Sequence, residues 1–182
     1  GDPVPSARFM GGREFDTIMA GADPDWQQRD LQAVLSSSQM FLPSMELGTG
    51  PYPTRQGGWM GGEPAGGRRK VAASFYLALM TATCLDLAGA EGEIIVEGPF
   101  ASSRPYLLML SAATSRLVKR QQTQGTGTSI GAAMLAGGRR TVEADPQLPT
   151  DSINRAAMGR YAQIWGHAVS AGPEADRKVL DR

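Results

Sequence analysis

Apolar residues recur along this chain at spacings that switch between the helical period and short extended runs. Trp26, Leu31, Val34 and Leu35 predict a short amphipathic helix, with Asp23 as its cap, Pro24 in its first turn and Ser36 to Ser38 as its stop. Met40-Phe41-Leu42 predicts a short buried strand. From Pro43 to Gly67, glycine and proline are so frequent that the segment is expected to form one long surface loop. Val71, Phe75, Ala78, Ala82 and Leu85 then mark one face of the clearest helix, Arg68 to Leu87, which Gly89 ends.

Glu93 to Glu97 is rich in β-formers, and Gly98-Pro99 cannot extend it, so the chain must turn there. Ser103 and Pro105 open a helix carrying Tyr106, Leu107, Met109, Leu110 and Ala113, followed by a strand at Leu117-Val118. A polar loop, Gln121 to Thr126, precedes a helix from Thr128 to Ala136, closed by Gly137-Gly138. Strand, helix, strand, helix is the unit of a parallel sheet, so the fold class is α/β. Asp151 to Val169 predicts a last helix through Ala157, Tyr161, Ile164, Trp165 and Ala168. One domain over residues 1–172 with a charged tail at 173–182 follows, without internal repeats.

Composition narrows the partners. The 182 residues suit one domain with a core, and 18 acidic residues balance 18 basic ones, so net charge calls for neither nucleic acid nor an anionic membrane. No apolar stretch is read as membrane-spanning. The single cysteine, Cys84, excludes an intrachain disulfide framework and points to a reducing compartment, hence a cytoplasmic protein.

Candidate chemistry concentrates at turns. In open α/β sheets ligands settle beyond the carboxyl ends of strands. Here that place is Glu97 to Ser103, where Gly98 lacks a Cβ, Phe100 offers apolar surface and Ser103 can cap a helix while facing the crevice. On spacing alone, the same residues also describe a plain turn and cap. Arg8 to Phe15, with Gly11 and Gly12, lines a phosphate crevice or simply turns the chain. Gly125 to Ser129 is small and polar but lacks the lysine of a P-loop, so a Walker-type site is rejected. His167 stands alone and suits a core or rim position, and Glu63, Asp86, Glu93 and Glu97 are scattered, so no catalytic residue and no metal ligand is nominated. Arg68-Arg69-Lys70 reads as a solvated basic face.

The segment Ile94 to Ser103, the helix after it, Leu117-Val118 and Thr128-Ser129-Ile130-Gly131-Ala132-Ala133 together resemble the nucleotide half of the FGGY carbohydrate kinases. Phe9-Met10-Gly11-Gly12, the Phe41-Leu42-Pro43 run leading to Pro51-Tyr52, and the Arg68 to Leu87 helix fall in the matching order, so the resemblance covers most of the chain.

The resemblance implies an actin-like, ribonuclease-H-like domain, a mixed sheet flanked by helices, forming the C-terminal half of a two-domain kinase. It implies ATP with Mg2+ as cofactors, a sugar or polyol as substrate, and adenosine held by Gly98, Pro99 and Ser103, with Gly11 and Gly12 near the phosphates. It also implies that the catalytic aspartate and most sugar contacts belong to an N-terminal domain, a partner without which this half is inactive, and it leaves a homodimer open. Two departures stand out: Pro99 occupies the place of the family's second glycine and removes a backbone donor, and Ser102-Ser103 replaces a basic-then-Asn or basic-then-Ser ending. Two other readings remain open at this point: a nucleotide-sensing module without transferase activity, and a scaffold docking a protein through the 43–67 loop and Trp59-Met60.

Overall fold

A computed structural model describes residues 3–45, 47–121, 132, 135–136 and 152–171. The first element is a helix that sequence reasoning took for a crevice lining or a turn: α1, Gly11–Met19, begins at the glycine pair and turns Glu14 and Ile18 inward. Helix α2 is Gln28–Ser37, starting four residues later than Pro24 suggests. Gln27 and Asp30 supply a capping box there, with the Gln27 amide donating to Asp30 Oδ2 at 2.8 Å, and that pair satisfies the helix start better than Asp23 would. Asp23 instead accepts from Lys70 Nζ at 2.5 Å.

Strands β1, Met40–Leu42, and β2, Gly58–Met60, pair antiparallel, with Phe41 opposite Trp59. The stretch from Pro43 to Gly67 is therefore not one surface loop. It contains β2, buries Ser44 and Pro64, and is tied inward at several points. The Gly57 amide donates to the Ser44 carbonyl at 2.7 Å, and a Cβ on Gly57 would sit 2.2 Å from the Leu42 carbonyl oxygen, so only glycine fits.

Helix α3, Gly67–Leu87, is the axis of the molecule. A single apolar face was expected, yet every residue from Val71 to Met80 is buried. Ala72, Ala73 and Ala78 explain this, because their small side chains let α1, α2, β1 and the later helix Arg104–Thr114 close in around it. By length and composition α3 could also cross a membrane, contrary to the sequence reading, but 61% of its apolar window is buried inside this fold. Strand β3, Ile94–Val96, follows, then a 3-10 turn at Pro99–Ser102, helix α4, Arg104–Thr114, and strand β4, Val118–Arg120. β3 and β4 pair parallel, with Ile94 opposite Val118 and Val96 opposite Arg120, as strand, helix, strand order requires. The mixture of strand directions thus resides in two small sheets among the described residues.

Helix α5, Ser152–Ala171, closes the core. Its buried stripe is Asn154, Met158, Tyr161, Trp165 and Val169, while Ile164 is exposed, so the inward face is rotated from the expected one. Polar anchors set the rotation: Tyr161 donates to the Gln39 carbonyl at 2.8 Å and Trp165 Nε1 to the Phe41 carbonyl at 2.8 Å. The Arg55 guanidinium donates to the Val169 and Ala168 carbonyls, placing a cation at the helix's negative end. Residues 122–131 and 172–182 lie outside the described residues, and with them most of the Thr128 to Ala136 helix, the Gly125 to Ser129 segment and the charged tail.

Burial pushes the Tyr76 phenol far above its ordinary value, and the Glu14 carboxylate that accepts its hydrogen bond pushes it further; burial alone does the same to Tyr161. Each phenol keeps its proton in the folded chain at a pH where the unfolded chain has lost it, so this stability is complete below about pH 10 and falls above it. Urea midpoints should drop steadily above pH 10, and Tyr161→Phe should flatten that slope; equal slopes would contradict the assignment. Gly57→Ala should cost about 2–4 kcal/mol in the same measurement, as backbone must move to admit the methyl group.

Candidate functional site

The bend after β3 is built from local chemistry. Gly98 adopts φ 79 and ψ −165, a region essentially closed to residues with a Cβ. Pro99 then supplies the first residue of the 3-10 turn, whose fixed φ suits it. The Ala101 amide donates to the Gly98 carbonyl at 3.0 Å, the Ser103 amide to the Phe100 carbonyl at 3.1 Å, and Ser102 Oγ to the Pro99 carbonyl at 2.9 Å. Ala101 is buried, whereas Gly98, Pro99 and Ser102 are exposed, and a Cβ built on Gly98 would meet nothing within 4 Å. The main chain at this bend is thus bare, at the carboxyl end of a parallel strand.

Ser103 sits at the N-cap of α4 without a side-chain cap bond. Its hydroxyl instead lies 3.4 Å from Ser74 Oγ of α3, which itself donates to the Lys70 carbonyl at 2.8 Å. Gly11 and Gly12 stand at the start of α1, Gly11 half-buried against the Phe9 ring and Gly12 open. The structure links the two candidate groups through aromatic rings. Phe15, one turn after Gly11, meets Phe100 edge to face at 5.3 Å and 75°, and Phe100 lies 5.7 Å from Tyr106 of α4. Helical spacing puts Phe15 on the side of Gly11, but nothing in the sequence names Phe100 as its partner.

The remaining candidates separate from this region. Arg69 and Lys70 are clamps, not a solvated face. Arg69 Nε donates to the Ile18 carbonyl at 2.6 Å, its Nη1 pairs with Glu63 at 2.5 Å, and its guanidinium lies 5.8 Å from the centroid of the Trp59 ring. Trp59 also packs edge to face on Phe41 at 5.1 Å, so the proposed docking pair is engaged internally. Glu93 pairs with Lys119 at 2.5 Å, and His167 is exposed on α5. Burial, then the Glu14 charge, raise the Cys84 thiol, which keeps it protonated and unreactive. Cys84 borders a groove of about 410 Å³ between Pro5–Phe9 and the end of α3, whose lining includes none of the Gly98 to Ser103 residues. Among the described residues no three His, Cys, Asp or Glu side chains are grouped as a metal cluster.

An α/β domain with a bare glycine at the carboxyl end of a parallel strand has the backbone arrangement at which open α/β sheets accept ligands. The sequence profile described as carbohydrate kinase FGGY, C-terminal domain, matches residues 1–145, and the chain belongs to that family. It has the actin-like, ribonuclease-H-like fold of those domains. Among solved structures it is similar to a carbohydrate kinase from Novosphingobium aromaticivorans, at 32% identity and a TM-score of 0.76, over 91% of this chain and 37% of that one. It also shares the fold of a protein described as a xyloylose kinase from Brucella ovis, at 18% identity and a TM-score of 0.64, over 88% of this chain and 38% of the other. The chain spans little more than a third of the length of those structures. No curated protein matches it.

Because Gly98 is constrained by its dihedral angles and not by crowding, Gly98→Ala should cost about 1–3 kcal/mol of stability. Urea unfolding measures this directly, and a neutral result would mean that the bend relaxes freely.

Proposed function

We propose that this chain is the nucleotide-contacting wall of a kinase that transfers a phosphoryl group from ATP to a hydroxyl of a sugar or polyol. The observation that carries the reading is the bare main chain at Gly98, next to an aromatic surface at Phe100, in a bend whose last residue, Ser103, sets its hydroxyl 3.4 Å from Ser74 Oγ of α3. A purine can lie against such a bend because no side chain stands in front of it. Pro99 offers its carbonyl but no amide, so the base is held by acceptors and apolar contact at that position. Gly11 and Gly12, at the positive end of α1, face the phosphate side.

Mg2+ accompanies ATP in this reading. It is usually held by nucleotide phosphates with one or two carboxylates and its own waters, which needs no cage from this chain. Phosphoryl transfer depends on positioning and charge stabilisation, and closure of a second domain would position the sugar's acceptor hydroxyl and supply the base and a dry cleft. The work of this chain is to seat and orient the nucleotide, and alone it turns nothing over. A single buried cysteine suits the cytoplasm for such an enzyme.

The test is a coupled assay of the full-length protein carrying this chain, with ATP and a panel of pentoses, hexoses and polyols. Saturable ATP consumption with at least one of them is expected, and none from the isolated chain. Nucleotide binding without turnover on any sugar would instead favour a sensing module, and no nucleotide binding at all would sink the reading.

A further inference from the structure

The hydrogen bonds of the Gly98 to Ser103 bend are local, so they fix its shape and not its place in the cleft. Placement comes from what the bend touches elsewhere. Tyr106, three residues further on, donates its hydroxyl to Thr81 Oγ1 of α3 at 3.1 Å; this seats the start of α4, and it meets the bend only through a tilted ring contact with Phe100 at 5.7 Å. The Ser103 to Ser74 hydroxyl contact, at 3.4 Å, is at the weak end of hydrogen-bond geometry. Phe15 is different: it comes from α1, far back in the chain, and sets its ring edge to face on Phe100 at 5.3 Å and 75°, the favoured aromatic arrangement.

Helix α1 is itself held firmly. Glu14, the residue beside Phe15, is buried and accepts from the Tyr76 hydroxyl at 2.5 Å, and the Ile18 carbonyl accepts from Arg69 Nε at 2.6 Å. Both donors lie on α3. A buried hydrogen bond resists rotation of α1 about its axis, and such rotation would swing Phe15 away from Phe100. α3 supports both α1 and α4, and the helix that presents Gly11 and Gly12 adds, through Phe15, a lateral contact on the bend that contains Gly98.

We infer that Phe15 is a positioning residue of the nucleotide site: its ring, aimed by the Glu14 to Tyr76 bond, holds Phe100 and the Gly98 to Ser103 bend in register with the Gly11–Gly12 end of α1. The inference rests on the reading of that bend as the adenosine seat. Phe15 does not contact the nucleotide; it acts through Phe100.

The experiment uses the full-length protein, ADP affinity by calorimetry, and separate KM values for ATP and for the sugar. Phe15→Leu keeps an apolar group but loses the ring edge, and should weaken ADP binding and raise the ATP KM about threefold to tenfold. The sugar KM and the thermal midpoint should stay near their starting values, and Phe15→Tyr, which keeps the ring, should restore nucleotide affinity. Unchanged ADP affinity in Phe15→Leu, or an equal rise in both KM values, overturns the inference. Gly98→Ala separates the two levels: if it weakens ADP binding while Phe15→Leu does not, only the positioning role fails. If Gly98→Ala leaves ADP binding unaltered, the adenosine seat and the positioning role fall together. Should Phe15→Leu lose its thermal midpoint, Phe15→Met fills more of the space and carries the same comparison.

Discussion

A helix buried on every side leaves no face for water, and α3 imposes that condition on everything around it. From Val71 to Met80 every residue is buried, none more than 3% exposed, so each polar group there must be satisfied from within. Ser74 returns its hydroxyl to the Lys70 carbonyl, and Thr81 and Thr83 do the same to Leu77 and Leu79. Tyr76 is too long for that solution. Its hydroxyl reaches across to Glu14, which brings a carboxylate to 1% exposure in the core and fixes α1 to the axis. Losing one partner of such a pair costs more than the bond is worth, because the other stays buried.

The candidate site inherits this arrangement. α1 and α4 both pack on α3, so the Gly11–Gly12 end and the bend leading into α4 are placed by one common support. Phe15 and Phe100 meet where those two elements approach each other, and Ser74 of the axis meets Ser103 at the other end of the bend. Arg55, Tyr161 and Trp165 join the 43–67 segment, β1 and α5 into a brace, with Phe75 of α3 edge to face on Tyr161 at 5.2 Å. The Gly98 to Ser103 bend can stay exposed because the chain beneath it is held by contacts from several elements.

How far the sequence discloses this depends on the range of each signal. β1, α3, β3, α4 and β4 were legible because apolar periodicity and the punctuation of Gly89 and Gly98-Pro99 are local. α1 was missed because glycines at its start disfavour a helix locally, and its stability comes from Tyr76 and Arg69, both distant in sequence. The 43–67 segment read as a loop because its order depends on tertiary ties such as that of Arg55 to α5. Arg69 and Lys70 read as solvated for the same reason: their partners are Ile18, Glu63 and Asp23, and only Glu63 is near in sequence. Of the candidate site, Gly98, Pro99 and Ser103 form one continuous turn and could be named from it. Phe15, whose role depends on a contact across the fold, could not.

Pro99 is one of the two places where this chain departs from the pattern it resembles, and its setting gives the departure a physical meaning. A second glycine would donate an amide at the bend and leave the turn free to sample many conformations when empty. Proline gives up the donor, but its ring fixes φ at the entry to the 3-10 turn, and Ser102 Oγ closes on its carbonyl at 2.9 Å. The bend therefore loses less conformational freedom when something settles on it. If a purine is the occupant, its recognition moves from an amide donor toward shape, carbonyl acceptors and the Phe100 surface. That shift makes the placement of Phe100, and hence the helix that aims Phe15 at it, more consequential here than in a chain whose bend carries two glycines.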